Sequence, residues 1–274
     1  MENKGCLVFV ATPIGNLNDI SNRAIQELSS ADLILCEDTR HSLKLLNSLD
    51  IKKPLMSFHK FNYKEATPVV INKLIEGQKI CLITDAGTPC ISDPGSELLP
   101  SLKEHNIPYT IIPGACAFVN AFALSGFKTP CTFVGFLPDN KKQKRELLEE
   151  LKTYKSTLIF YSAPHALKDD VKTLFSVLGN RRAVAVRELT KIYEEVVEFE
   201  LENGYPKEAK GEFVIVVEGY SSSEATEESV EELYNKYISI GYEKNDAIKM
   251  IAKEKNVAKN IVYKQILELN KSSK

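Results

Sequence analysis

Residues 6–28 read CLVFVATPIGNLNDISNRAIQEL. The opening five residues form an apolar run that suits a buried strand, and from about Asp19 the apolar positions Ile20, Ala24, Ile25 and Leu28 share one face of a helix. The β-then-α unit recurs downstream. Strand-like runs at 32–36, 79–84 and 109–112 alternate with helical patterns after Thr39, near 96–105 and at 115–124, the last built of small residues. Strands separated by helices need crossover connections, so this half predicts an α/β domain whose mainly parallel sheet is covered on both faces.

The pattern breaks at 125–130, and a domain boundary is expected there, with residues 1–130 forming the first α/β domain. Beyond it come a strand at 131–137, the basic run Lys141, Lys142, Lys144 and Arg145, a strand at 157–161 and a helix at about 166–178. Strands at 183–188, 192–201 and 212–217 follow without long helices between them, so a second α/β domain, 131–220, should carry a mixed sheet. Residues 221–274 open on serines and the acids Glu224, Glu227, Glu228, Glu231 and Glu232, read as a linker into a helix. From 244 to 274 eight lysines stand against three acids, a local net charge of +5. Ala247, Ile248, Ile251 and Ala252 make one apolar stripe there, and Ile261, Val262, Ile266 and Leu267 another beyond a turn at Asn256 and Val257, the pattern of a small helix-turn-helix-like tail.

At 274 residues the chain has room for about two domains of ~150 residues, and 43% apolar with 26% charged residues is an ordinary globular balance. Thirty-five Lys and Arg against 37 Asp and Glu exclude a chain coated in positive charge, so any nucleic-acid contact has to come from local basic patches. No run approaches the ~18–20 apolar residues of a membrane helix and the start has no export signal, which predicts a cytoplasmic protein with no membrane partner. Six cysteines without a C-x-x-C pair are expected as reduced core thiols, and four histidines without metal-ligand spacing predict no metal.

Ligands of open α/β sheets gather at the carboxyl ends of strands. Three loops at such ends stand out. The first, 11–17, contains Pro13 and Gly15 but lacks the glycines of a dinucleotide fingerprint; the second, 84–95, packs two Asp, two Gly and two Pro after an apolar strand; the third, 113–117, is a Pro-Gly turn into the small-residue helix. Glu37, Asp38, Arg40 and His41 crowd the end of the second strand, with His59, Lys60 and Asn62 in a later polar stretch.

Taken in order, ATPIGNLxDI at 11–20, EDTR at 37–40, DAGTPxISDPG at 85–95, IPGA at 112–115 and GFLP at 135–138 strongly resemble one family. It is the bacterial small-subunit (16S) ribosomal RNA (cytidine-2′-O-)-methyltransferases, members of the tetrapyrrole-methylase superfamily. The resemblance spans about 7–219, with further similarity at 247–263. It implies a two-domain tetrapyrrole-methylase fold with S-adenosylmethionine in the cleft between domains, a homodimer, and ribosomal RNA or the small ribosomal subunit as partner. Carried over by motif, the cofactor would be bordered by Pro13 and Gly15, by Asp85, Gly87, Thr88, Pro89 and Ile91, and by Pro113, Gly114, Cys116 and Ala117. Tyr161, Ser162, Ala163 and Arg187 would close over it from the second domain.

Methyl transfer to a ribose hydroxyl needs a base, for which Asp38, His59, Glu188 and Lys191 are the candidates, with Arg40 positioning a phosphate or carboxylate. RNA would be held by Lys141, Lys142, Lys144 and Arg145 and by Lys253, Lys259 and Lys264 of the tail. Two competing readings are a methyltransferase of tetrapyrroles or other small molecules on the same fold, and a non-enzymatic nucleic-acid-binding regulator that reads through its tail.

Overall fold

Alternating apolar runs and helical stripes fold the first half into strand-helix units. The computed structural model describes residues 4–221, 229–255 and 257–272, with side chains throughout except at 253 and 268–272. In chain order these units are β1 (Cys6–Val10), α1 (Asn22–Ser30), β2 (Leu33–Cys36), α2 (Thr39–Ser48), β3 (Leu55–Ser57), α3 (Tyr63–Ile75), β4 (Lys79–Leu82), α4 (Leu99–Glu104), β5 (Tyr109–Ile112) and α5 (Ala117–Ser125). Ser21 sets the start of α1, three residues later than Asp19, because its Oγ accepts the Ala24 N–H at 3.1 Å.

The strands form one parallel sheet in the order β3-β2-β4-β1-β5. Alternate side chains serve its two faces. Leu7, Phe9, Leu35 and Leu82 pack with Val70 and Leu74 of α3 and Leu102 of α4, while Val8, Val10, Ile34 and Cys81 pack with Ala24, Leu28 and Leu46 of α1 and α2. From β1 the chain leaves toward β2, and from β4 it crosses to β5 on the other side. The neighbouring ends of β1 and β4 are therefore a topological switch point, where α/β sheets form crevices.

The second half supplies β6 (Cys131–Phe136), α6 (Lys141–Leu151), β7 (Thr157–Ser162), α7 (Leu167–Leu178), β8 (Arg182–Arg187), β9 (Glu195–Glu200) and β10 (Phe213–Val217). Its sheet runs β6-β7-β10-β8-β9, with β6 and β7 parallel and the remaining pairs antiparallel, the mixed sheet that the missing helices predict. Leu148 and Leu151 of α6 and Val171 and Leu174 of α7 cover one face. Helix α5 covers the other through Ala121, Phe118 and Phe122 against Ile159, Val184, Val186 and Val214. So α5, which precedes the expected boundary at 130, packs on the second sheet, and residues 1–220 make one compact unit.

Expectation and structure part at several places. Residues 192–194 do not extend β9: Ile192 is 94% exposed, and the turn before it is closed by left-handed backbone at Glu188 and Thr190 and by the Thr190 N–H donating to the Glu194 carboxylate. Neither β3 nor α3 is foreseen by the sequence reading; Pro68 lies inside α3 and interrupts its propensity, though Ala66, Val70, Ile71 and Leu74 keep the helical spacing. All six cysteines are free, but Cys131 is exposed rather than in a core.

The second unit, 221–274, contains α8 (Val230–Ser239), α9 (Lys244–Glu254) and α10 (Lys259–Ser272). Ser229 and Glu232 form a reciprocal capping box at the start of α8. Leu233, Ile248, Ile251, Ala252, Val262 and Ile266 make its small core, whereas Ile261 and Leu267 are exposed. Of the linker and tail features, Ser222, Ser223, Glu224, Glu227, Glu228, Asn256 and the side chains of Lys253 and Glu268 lie outside the described residues. Among the described residues no helix is long and apolar enough to cross a membrane.

Candidate active site

The three unusual loops are knitted together at the switch point. Thr12 after β1 and Gly87 after β4 exchange both backbone hydrogen bonds, at 2.9 and 3.1 Å, and Thr88 Oγ1 donates to the Ala115 carbonyl at 3.0 Å. Gly87 has φ +89°, and a Cβ there would lie 3.3 Å from Ile14 Cγ2, so only glycine passes between these loops without strain.

Between this junction and the second sheet lies a cleft of about 490 Å³, within the range of small-ligand sites. Gly87, Thr88, Ile91, Cys116 and Ala117 line it from the first half, and Tyr161, Ser162 and Ala163 from the end of β7. An adjoining cleft of about 340 Å³ is lined by Pro13, Gly15, Asp85 and Lys191, and Ile14 borders both. Pro89, Pro113, Gly114 and Arg187 line neither. A Cβ on Gly114 would come 2.8 Å from Ala11 Cβ, so this glycine serves close loop packing. Arg187 instead donates from Nε to the Lys210 carbonyl at 2.6 Å and pairs with Glu195.

The expected bases fare differently from their sequence reading. Asp38 caps α2 and is gripped by Arg40, whose Nε and Nη2 donate to it at 3.2 and 2.8 Å; that contact holds its carboxyl down at about 2. Burial would raise Glu188, but the Glu212 N–H and the Lys191 ammonium outweigh it and leave the carboxyl below its ordinary range. Burial likewise works against the charge of Lys191, yet Glu212 at 2.8 Å and Glu188 at 3.0 Å raise its pKa, so it is a fixed cation and not a neutral base. His59 is outside both clefts, where its Nδ1 accepts the Phe61 N–H at 3.2 Å. A carboxylate already held by a cation, or a lysine held charged, is a poor proton acceptor.

Asp93, which sequence reasoning did not select, lines the larger cleft with a carboxyl pushed up to about 6 by burial, then by the negative charges of Glu37 and Asp85. It belongs to a loop in which Cys90 and Ser92 adopt positive φ, at 69° and 64°. Tyr161, facing the same space, is pushed up to about 12 by burial and keeps its proton at neutral pH. Phe136 of the GFLP motif, His165 and Glu212 also line the cleft, beyond the residues expected to border the cofactor.

Among the expected RNA contacts, Lys141, Lys142 and Arg145 are exposed on α6, and Lys259 and Lys264 on α10. Lys144 is a correction. Its side chain is 8% exposed, and its Nζ donates to Asp170 at 2.8 Å and to Asp169 at 3.2 Å; Asp170 in turn accepts the Ser162 hydroxyl at 2.7 Å. A buried chain thus runs from α6 through α7 to the cleft wall. Lys144→Ala strands the Asp170 charge and is expected to cost about 3–5 kcal/mol of stability, read as a lower thermal midpoint.

A family model described as Tetrapyrrole (Corrin/Porphyrin) Methylases matches residues 6–203. A Halalkalibacterium halodurans protein named Ribosomal RNA small subunit methyltransferase I is 45% identical, covering 96% of this chain and 94% of that protein. Its namesake in Bacillus subtilis is 40% identical over the same shares, 96% and 94%. The chain belongs to this methyltransferase family. The crystal structures of the methyltransferase CobJ and of diphthine synthase share the fold, each with a TM-score of 0.60, at 17% and 16% identity, over 78% of this chain and 94% and 90% of theirs.

The methyltransferase family uses S-adenosylmethionine, and two features of the site fit that cofactor. Asp85 Oδ1 is buried without a hydrogen-bond partner, an acceptor that a ligand donor can satisfy. The loop at Gly87 presents bare backbone to the larger cleft. Among the described residues of the methyltransferase, no three His, Cys, Asp or Glu side chains converge to hold a metal ion.

Proposed function

We propose that the protein methylates the 2′-hydroxyl of a cytidine in small-subunit ribosomal RNA, using S-adenosylmethionine. The observation that carries the substrate class is the identity of 45% and 40%, over 96% of the chain, to proteins named for small-subunit ribosomal RNA methylation. Gly87, Thr88, Ile91, Cys116, Ala117, Tyr161, Ser162 and Ala163 hold the cofactor in the larger cleft, with Pro13, Gly15 and Asp85 beside it. Bound there, S-adenosylmethionine supplies an electrophilic methyl group.

The chain's own residues do the rest. Apolar walls from Ile14, Ile91, Phe136 and Val214 exclude water, and holding the reacting groups in line is worth ~7–11 kcal/mol. A ribose hydroxyl keeps its proton at neutral pH, so the reaction needs a base, and Asp93 is the cleft carboxylate whose surroundings favour taking one up. Proton acceptance by a positioned group contributes about 10²- to 10⁴-fold. Lys141, Lys142 and Arg145 on α6 and Lys259 and Lys264 on α10 contact RNA phosphates.

The protein acts as a homodimer in the cytoplasm. Edge strand β5 exposes Tyr109 and Ile111, and α5 exposes Val119 and Leu124, apolar surface suited to a second copy. Nucleoside analysis of small-subunit RNA from cells with and without the gene tests the reading. The 2′-O-methylcytidine content is expected to fall on deletion and to return with the wild-type gene; an unchanged content contradicts it.

A further inference from the structure

Phe61 presents 84% of its surface to solvent on the turn between β3 and α3. Lys60 Nζ lies 4.9 Å from its ring centroid, and the His59 ring meets it edge-on at 6.0 Å. An aromatic ring this open gains nothing from the protein core, while a cation over one face still leaves the other for a flat partner. Four exposed cations belong to the two helices that follow β2 and β3, Arg40 and Lys44 on α2 and Lys60 and Lys64 at the start of α3, against the acids Asp38 at the cap of α2 and Glu65 in the first turn of α3.

This rim is continuous with the cleft. Cys36 of β2 pairs with Ser57 of β3, the Phe58 N–H donates to the Cys36 carbonyl at 2.8 Å, and Ser57 Oγ to the Glu37 carbonyl at 3.4 Å, so the two chains emerge side by side. On its other side β2 neighbours β4, whose following loop carries Asp85 and Asp93, and the charge of Glu37 reaches Asp93. Lys44 itself borders the smaller cleft. The Arg40 guanidinium is 89% exposed and held flat by Asp38, an exposed pair that contributes little and can yield to a phosphate.

We propose that the rim formed by the starts of α2 and α3 is a docking platform for the single-stranded RNA beside the modified nucleotide, with Phe61 stacking on a base and Arg40, Lys44, Lys60 and Lys64 taking phosphates. Base-on-aromatic stacking plus a basic track is how single strands are held without reading their sequence. The inference rests on the RNA-methylation reading and deepens it by naming where the strand lies.

The test is fluorescence anisotropy of a short fluorescein-labelled single-stranded RNA on the full-length protein, together with KM for small ribosomal subunits. Phe61→Ala is expected to weaken RNA binding about tenfold and to raise that KM alike, with S-adenosylmethionine affinity unchanged and Phe61→Trp restoring both. Lys60→Ala and Lys64→Ala should each flatten the salt dependence of binding by about 0.7 in log-log slope. RNA affinity and salt slope that survive all three alanine variants overturn the platform. So does a Phe61→Ala protein that binds RNA normally but loses self-association in sedimentation, which would make this face a contact between copies. RNA binding that depends on Phe61, in a protein that transfers no methyl group to subunits, would keep the platform and remove the methylation reading.

Discussion

Asp93→Asn is expected to slow methyl transfer to small ribosomal subunits by about 10²- to 10⁴-fold at neutral pH, with cofactor affinity retained. Asparagine keeps the shape and cannot accept the proton. In the wild type the carboxyl is pushed up to about 6 by burial and by Glu37 and Asp85, with Cys90 and Tyr161 as further titratable neighbours. The rate should therefore fall as the pH drops through about 6, and the variant should lose that limb of its profile. Stability moves in the opposite sense. A carboxyl whose folded pKa exceeds the ordinary value of about 3.9 favours the fold when protonated, and this contribution is lost as pH rises through about 6. Asp93→Asn is thus expected to raise the thermal midpoint at neutral pH, with the difference vanishing below pH ~4. A variant of wild-type rate and unchanged pH profile shows that another group takes the proton.

Gly87→Val is expected to weaken S-adenosylmethionine binding by about 10- to 100-fold in calorimetry. Valine at φ +89° is strained, its Cβ presses on Ile14, and relief by moving the loop breaks the paired hydrogen bonds with Thr12. Cofactor affinity equal to wild type would show that the loop at Gly87 does not form the cofactor cradle. In the same loop, Asp85 Oδ1 is buried and accepts no hydrogen bond within the protein.

The cores of β1, β2, β4 and β5 were legible because each is an apolar run ended by a turn signal, and the mixed second sheet because its strands follow one another without long helices. Asp93 was not, because in Ser-Asp-Pro-Gly it looks like a turn residue; what sets it apart is its burial, the approach of Glu37 from the end of β2 and the folding back of its own loop toward Asp85, none of which spacing reveals. Lys144 was misread from its basic neighbours, although a signal was present: Lys144, Leu148 and Leu151 share the buried stripe of α6 at helical spacing. The packing of α5 on the second sheet was hidden because apolar residues fill every position but Asn120 and Ser125, so its pattern marks no single buried face. Likeness to CobJ and diphthine synthase, at 17% and 16% identity, is a likeness of fold and leaves the substrate to the chain's own site.

The central claim is tested most directly by incubating the purified protein with methyl-tritiated S-adenosylmethionine and small ribosomal subunits that lack the modification, then digesting the RNA to nucleosides. Label recovered as 2′-O-methylcytidine is the expected result. Label in a base, in another nucleoside, or absent from RNA while the cofactor binds would contradict it.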